Sequence, residues 1–200
     1  MKSLKVLLIS FIAIMFFVGC SSSDEGGIVE ETYKDGDRIE LESIMGTKLT
    51  LLRKNGGFVL EGDEDKILLF DIFGTFCQPC QDEAPKLMNF QLKNDKDLVL
   101  IAFNYLESVT NEYVKENFTT KFNAYYFIVN SPENEKMVDT ITKDIGYNKA
   151  VQVPFKVVLK DGKYQNLTDI YEGREDNKFY IGEVDIDIIQ KDIDRIKNSK

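Results

Sequence analysis

The chain has 200 residues, 43% of them hydrophobic, which is enough for one domain with its own core. Its formal net charge of −9 indicates an acidic surface and argues against binding to nucleic acid or to anionic lipid. The chain has no histidine, which excludes a Cys-His hydrolase and argues against a copper-delivering protein.

The first 19 residues have the pattern of an export signal. Lys2 and Lys5 supply the positive start, and the apolar stretch that follows is short for a membrane span of about 20 residues. It ends at Phe17-Val18-Gly19-Cys20, which resembles the lipobox of bacterial lipoproteins, with Phe17 where Leu is usual. We expect cleavage before Cys20 and a lipid on its sulfur, which anchors the protein to a bacterial membrane outside the cytoplasm. An uncleaved anchor or an ordinary secretory signal is the alternative.

The segment after Cys20 differs in composition from the rest of the chain. Residues 20–37 are polar and rich in Gly and Ser, and they predict a flexible tether. Residues 38–200 are then the single folded domain, for which a monomer is the default expectation.

Strands are expected in the first part of this domain. Alternating apolar and polar residues predict strands at 38–41 and 48–52, and a turn at Asn55-Gly56-Gly57 leads to 58–60. The nearly continuous apolar run at 66–73 is typical of a central strand that is covered on both faces.

Helices and strands alternate in the remainder. A helix is expected from Pro79 onward, with Asp82 and Glu83 in its first turn. The later elements are a strand at 98–103, a helix at 111–118, a strand at 124–129 and a helix at 132–145. A strand at 153–159 then turns at Asp161-Gly162 and pairs back at 167–171. The last helix has Ile186, Ile189, Ile193 and Ile196 in one stripe. Tyr125, Tyr126 and Phe127 are expected to be core and flanking surface residues. This order predicts an α/β fold, with a central mixed sheet and helices on both faces.

Cys77-Gln78-Pro79-Cys80 stands where a buried strand turns into a helix. A zinc site would need two more ligands, and the chain offers neither a histidine nor a second cysteine pair. The N-terminus of a helix stabilises a thiolate, so Cys77 is the candidate nucleophile. Cys80, one turn along on the same face, is the candidate resolving thiol. The pair predicts redox chemistry through a disulfide, without a cofactor or a metal.

Residues 76–85 resemble the pattern Trp-Cys-x-Pro-Cys-x-x-Glu-x-Pro of membrane-anchored thiol–disulfide oxidoreductases of the TlpA/ResA type, in the thioredoxin superfamily, with Phe76 in place of Trp. Val153-Pro154, an apolar strand and Asp161-Gly162 resemble the cis-proline strand and hairpin of thioredoxins, although Phe155 stands where Thr is common. The resemblance implies a thioredoxin-like fold with an N-terminal β-hairpin. The length between Cys80 and Pro154 fits the central insert of the TlpA type, an extra strand and helix.

The resemblance also implies roles for two acidic residues. Asp71, on the strand before the cysteines, is implied to exchange a proton with the resolving cysteine; its alternative is an Asp that reaches solvent. Glu83, three residues after Cys80, is implied to tune the cysteines; its alternative is a favourable acid in the first helical turn.

Substrate contacts are implied at three further positions. A cis Pro154 leaves the backbone of Val153 free to pair with an extended substrate segment, and Phe76, in place of the usual Trp beside Cys77, is expected to affect substrate choice. The alternative for Pro154 is a trans proline at the start of a strand.

The function expected from these residues is that of an extracytoplasmic oxidoreductase acting on protein thiols and disulfides. The Gln-Pro dipeptide resembles reducing members, which implies a membrane electron donor and substrates such as apocytochrome c or misoxidised envelope proteins. A disulfide-introducing oxidase and a non-catalytic scaffold lipoprotein are the alternatives. A thiol peroxidase is disfavoured because Thr75 lies two residues before Cys77, whereas peroxiredoxins place that Thr three residues before.

Overall fold

The computed structural model describes residues 32–199, and the predicted signal, Cys20 and most of the predicted tether lie outside them. The fold begins with a three-stranded antiparallel sheet, which contains the predicted N-terminal hairpin and the third strand predicted at 58–60. Its strands are β1 (Arg38–Glu42), β2 (Lys48–Lys54) and β3 (Gly57–Leu60). Tyr33, inside the segment predicted to be a tether, already contacts this sheet, because its ring packs edge-on against Phe58.

The central sheet is mixed, as predicted. It contains β4 (Ile67–Phe73), β5 (Leu98–Asn104), β6 (Phe127–Val129), β7 (Phe155–Lys160), β8 (Lys163–Tyr164) and β9 (Tyr180–Ile181). The order is β6-β5-β4-β7-β8, and β9 pairs with the start of β7. Strands β4, β5 and β6 are parallel, whereas β7 is antiparallel to β4.

The helices cover both faces of this sheet. They are α1 (Gln78–Asn94), α2 (Asn111–Val114), which continues as a π-helix (Lys115–Thr120), α3 (Asn134–Asp144) and α4 (Ile186–Asn198). Helices α1 and α4 and the π-helix pack on one face, while α3 and the N-terminal sheet pack on the other. Because β4 is covered on both sides, all seven of its residues are buried. Within residues 32–199, no helix has the length and apolar character needed to cross a membrane.

The hairpin predicted after β7 is confirmed at its turn and corrected at its return strand. Asp161 and Gly162 both adopt a positive φ, of 55° and 75°, which is the geometry of a tight hairpin turn. The return strand, however, is the two-residue β8 directly after this turn, and the segment at 167–171 does not pair with β7. Leu167 instead forms an isolated bridge to Asn177, and the sheet position beside the start of β7 is taken by β9.

Two other expectations were wrong in their boundaries. The strand predicted at 124–129 forms only over Phe127–Val129, so that Tyr126 is a buried loop residue before it. Helix α1 begins at Gln78, so Asp82 and Glu83 lie in its second turn rather than in its first. The extra strand and helix expected between Cys80 and Pro154 are present as β6 and α2 with its π-helical continuation.

Candidate functional site

Cys77 and Cys80 form a disulfide at the start of α1, with their Cα atoms 5.2 Å apart. Cys77 is the N-cap of the helix, and the backbone N–H of Cys80 donates to its Sγ at 3.3 Å. The unpaired amides and the dipole of a helix N-terminus favour negative charge on that sulfur. Cys77 is 6% exposed and Cys80 2%, so an attacking thiol reaches Cys77 more easily. This geometry suits Cys77 as the nucleophile and Cys80 as the resolving thiol.

Phe76 projects beside the disulfide, with 58% of its surface exposed. Its ring lies over Gly74: a Cβ atom at that position would come within 2.5 Å of Cε1 of the ring. The absence of a side chain at Gly74 therefore allows this placement. Contact of Phe76 with a substrate stays a prediction.

The segment before the cysteines is held by the loop that follows β5. The Glu107 carboxylate accepts from the backbone N–H of Thr75 at 2.5 Å and from its hydroxyl at 2.8 Å. The N–H of Tyr105 donates to the carbonyl of Phe73. Glu107 also lines a cleft of about 550 Å³ between this loop and the start of α3. Sequence reasoning missed Glu107, because an acid in a polar loop carries no pattern that shows its partner.

The peptide bond between Val153 and Pro154 is cis, so the trans alternative was wrong. Pro154 is buried and Val153 half-buried, and the carbonyl of Pro154 accepts from the N–H of Gly182. The backbone contact of Val153 with a substrate stays a prediction.

Asp71 is buried, at 2% exposure, and does not reach solvent as its alternative required. It is the direct cross-strand partner of Lys156 on β7, and its Oδ1 lies 3.4 Å from Lys156 Nζ. Both side chains point to the face of the sheet that α1 covers, because Phe155, Val157 and Leu159 point to the other. Burial raises the pKa of Asp71, and the ammonium of Lys156 offsets this only in part.

Glu83 reaches the same ammonium from α1. Lys156 Nζ donates to Glu83 Oε1, and both residues are buried. Burial raises the pKa of Glu83 to about 7, an effect that Lys156 opposes and the charge of Asp71 reinforces. Glu83 is therefore not a solvent-exposed acid at the helix start. We call Asp71, Glu83 and Lys156 the buried charge cluster.

Lys156 and Tyr126 are the members of this site that sequence reasoning missed. Lys156 had a signal, since it interrupts an apolar strand as Asp71 does, and a buried charge needs a partner. The Tyr126 side chain is buried, and its hydroxyl has no hydrogen-bond partner within the described residues. Burial, followed by the charges of Asp71 and Glu83, raises the pKa of Tyr126 well above its usual range. The Tyr126 hydroxyl is thus within the electrostatic influence of both carboxylates.

No group of three or more His, Cys, Asp or Glu side chains that would hold a metal ion is present in residues 32–199. The predicted lipidation site, Cys20, is outside this range and stays a prediction.

Comparison with known proteins adds structural neighbours to this geometry. No family model and no curated protein sequence matches the chain. Among solved structures, StoA from Bacillus subtilis superposes with a TM-score of 0.52 at 16% identity, covering 78% of this chain and 96% of StoA. The thioredoxin domain of a thiol-disulfide oxidoreductase from Bacteroides vulgatus gives 0.52 at 15% identity, covering 84% and 98% of the two chains.

A third neighbour is the exposed lipoprotein thioredoxin Etrx1 from Streptococcus pneumoniae. It superposes with a TM-score of 0.53 at 12% identity, covering 80% of this chain and 99% of Etrx1. At such low identity these likenesses establish the architecture, and the chemistry has to be argued from the residues themselves. These structural likenesses are joined by the strand order, the cis Pro154 and the disulfide at the start of α1. Together they lead to one conclusion: the chain has the thioredoxin fold.

Proposed function

We propose that this protein is an extracytoplasmic thiol–disulfide oxidoreductase that reduces disulfides in other proteins. One observation carries the proposal. A disulfide of two cysteines three residues apart caps α1, and the same helix carries Glu83, which shares one buried ammonium with Asp71. The helix start favours a thiolate on Cys77, and we expect the carboxylates to exchange a proton with the cysteine pair.

In the reducing direction, the Cys77 thiolate attacks a substrate disulfide and forms a mixed disulfide. Cys80 then loses its proton and attacks Cys77 Sγ, which releases the substrate as a dithiol and leaves the Cys77–Cys80 disulfide. A membrane donor of thiols is needed to reduce that disulfide again. Asp71 and Glu83 act on the proton of Cys80, while Phe76 and Val153 are the proposed substrate contacts.

The direction is tested by the reduction potential of the Cys77–Cys80 pair, measured by thiol alkylation across glutathione and dithiothreitol buffers. We expect a value near that of thioredoxin, about −270 mV. A value near that of the oxidant DsbA, about −120 mV, would support the oxidase alternative. If no reversible couple is found, only the scaffold function is left.

The roles of the two cysteines are tested by substitution. Cys77→Ser should abolish reduction of insulin disulfides. Cys80→Ser should leave the attack intact but block resolution, so that mixed disulfides with substrate proteins accumulate and identify the partners on a non-reducing gel. A Cys80→Ser protein that forms no such adducts would show that the assignment of the two roles is wrong.

We also propose that Cys20 carries a lipid and holds the protein on a bacterial membrane. The apolar leader and the Phe17-Val18-Gly19-Cys20 sequence support this. The comparison with Etrx1, described as an exposed lipoprotein, is consistent with it. The test is phase partition in detergent and intact mass of the full chain from a bacterial host. Cys20→Ala should move the protein to the aqueous phase and remove the mass of the lipid, and an unchanged partition would contradict the anchor.

A further inference from the structure

Lys156 is a charged residue whose side chain is fully buried in the core. The rest of β7 is apolar apart from Lys160 at its end, and the same face of the sheet carries Leu69, Phe73 and Val158. Holding an ammonium there costs free energy unless it is paired. Lys156 meets Asp71 from the neighbouring strand and Glu83 from the helix above, so it is the one cation that the two carboxylates share.

The charges of this cluster do not balance when all three groups are ionised. Two carboxylates and one ammonium leave an uncompensated negative charge in a dry interior, which one bound proton removes. The contacts agree with an incomplete supply of donors: Asp71 Oδ1 meets the Lys156 ammonium only at 3.4 Å, and within the described residues Glu83 Oε2 has no side-chain hydrogen-bond partner. The geometry therefore provides for one carboxylate and one carboxylic acid beside the same ammonium.

The other groups that face the cluster do not supply the missing charge. Tyr126, ahead of β6, brings a neutral hydroxyl, and the backbone amide of Val184 faces Glu83 from the segment before α4. Lys86, further along α1, feels the charge of Glu83 but is exposed and paired with Glu183. The cysteines above are neutral as a disulfide.

We propose that Lys156 is a positioning residue for proton exchange with Cys80: its ammonium keeps one of the two facing carboxylates ionised, so that a base is present at neutral pH. This inference rests on the proposed function, and it assigns to the cis-proline strand a part in the proton transfer. Without Lys156, both carboxyl groups would hold their protons, and no base would be left for the resolving thiol.

The resolving step transfers one proton and exchanges one disulfide bond for another. In the mixed disulfide between Cys77 and a substrate, the ionised carboxylate takes the proton of the Cys80 thiol. The Cys80 thiolate attacks Cys77 Sγ, the Cys77–Cys80 bond forms and the bond from Cys77 to the substrate sulfur breaks. The substrate leaves as a thiolate and takes a proton from solvent. The protein pair is oxidised by two electrons, and the substrate disulfide is reduced by the same two.

The test separates attack from resolution by using oxidised glutathione as the probe. The reduced protein is mixed with the probe between pH 5 and 9, quenched with acid, and its glutathione adduct is followed by intact mass. In Lys156→Met we expect the resolution rate at pH 7 to fall about tenfold and its midpoint to move up by about one pH unit, because the ionised carboxylate is lost. The rate of adduct formation should stay as in the unmodified protein.

Lys160→Met is the matched control, since it makes the same change on the same strand. Lys160 is partly exposed and donates to carbonyls at the end of α4, away from the cluster. Its variant should resolve the adduct with the unmodified profile. A merely structural role of Lys156 would lower the yield of folded protein without moving the pH midpoint of resolution.

Glu83→Gln provides an opposite change that keeps Lys156 in place. Asp71 and Lys156 are then a balanced pair, so Asp71 stays ionised at lower pH and the midpoint of resolution should move down. If Lys156→Met does not fold, this variant decides: a lower midpoint supports the inference, and an unmoved midpoint overturns it. If the unmodified protein never forms or resolves the adduct, the proposed function fails; if it does and Lys156→Met has the same profile, only this inference fails.

Discussion

Within residues 32–199, the protein buries carboxylates in two places on the same face of its central sheet, and the two places differ in how many hydrogen-bond donors the carboxylates receive. Asp192, on α4, accepts from the backbone N–H of Thr168 at 2.6 Å, from the hydroxyl of Thr168 at 2.9 Å, from Arg195 at 2.7 Å and from the hydroxyl of Tyr180. Asp71 and Glu83, between β4 and α1, share the single ammonium of Lys156.

The pKa values of the carboxyl groups at the two sites shift in opposite directions. Burial would raise the pKa of Asp192, but its donors more than reverse this, so the pKa is lowered. At Asp71 and Glu83 the effect of burial exceeds that of the Lys156 ammonium, so both pKa values are raised. A buried carboxylate with enough donors stays charged and holds structure, here the 168–180 segment against α4. A buried carboxylate that lacks donors can bind and release a proton near neutral pH, which is what acid–base chemistry needs.

The largest expected effect is on the structural side of this comparison. Asp192→Ala leaves the donors of Thr168 and Tyr180 without their acceptor and removes one of the acceptors of Arg195, and we expect a loss of about 3 to 5 kcal/mol in the free energy of unfolding. Denaturant unfolding measures it, and the reduction potential of the cysteines should not move. Asp194→Ala, on the exposed side of the same helix, is the control, with an expected change within about 0.5 kcal/mol. Equal effects of the two substitutions would contradict the structural role of Asp192.

The second prediction concerns the pH dependence of stability at Glu83. Its pKa is raised from 4.5 to about 7 in the folded protein, so the native state binds a proton more tightly than the unfolded chain. The resulting stabilisation is complete below about pH 4.5 and is lost as pH rises through about 7, a fall of about 3 kcal/mol. Glu83→Gln should remove this fall.

The measurement is denaturant unfolding of the oxidised protein at several pH values between 4.5 and 8. Glu40→Gln, at an exposed position of β1, is the control and should keep the pH dependence of the unmodified protein. If Glu83→Gln shows the same fall as that control, then Glu83 does not hold the titrating proton.

The sequence predicted one side of this comparison better than the other. The central strand at Asp71 and the Cys77-x-x-Cys80 helix follow from local patterns, since an apolar run and a helix start are each visible in a few residues. The cis Pro154 was implied by the resemblance to thioredoxins, because a proline at the start of a strand is equally compatible with a trans bond. The interruption of a buried strand by Asp71 also marked the residue for chemistry. Its partner on β7 was not found, because the pairing of β4 with β7 joins positions far apart in sequence.

The burial of Asp192 and its hydrogen bonds could not be predicted from the sequence. Asp192 belongs to a helix whose isoleucine stripe was read correctly, yet an acid beside that stripe is usually on the polar face. Its burial depends on Tyr180, which belongs to a two-residue strand without any periodic pattern, and on Thr168, in a segment predicted to pair with β7. Short elements and long-range polar contacts leave no local signal.

The third prediction tests the chemical side. Asp71→Asn keeps the shape of the side chain and leaves Lys156 paired with Glu83, so the fold should stay intact. Disulfide turnover near neutral pH should fall about a hundredfold, which is the lower range of general acid–base effects. Insulin reduction and resolution of the glutathione adduct measure it. Asp65→Asn, at an exposed position just before β4, is the control, and turnover of Asp71→Asn equal to that of this control would rule out proton transfer by Asp71.

The smallest effects are expected when one tyrosine hydroxyl is removed at each of the two carboxylate sites by a Tyr-to-Phe substitution. In Tyr180→Phe, Asp192 loses one donor and keeps those of Thr168 and Arg195, so we expect a cost of about 1.5 kcal/mol. In Tyr126→Phe, the hydroxyl that disappears has no hydrogen-bond partner within the described residues, so stability should be unchanged or slightly higher. Denaturant unfolding at one pH compares the two. Because the tyrosines are both buried and the lost atom is identical, a difference between them measures how completely each site satisfies its polar groups. Equal costs would mean that the Tyr126 hydroxyl is bonded in solution, and that the donor supply of the two sites differs less than their contacts indicate.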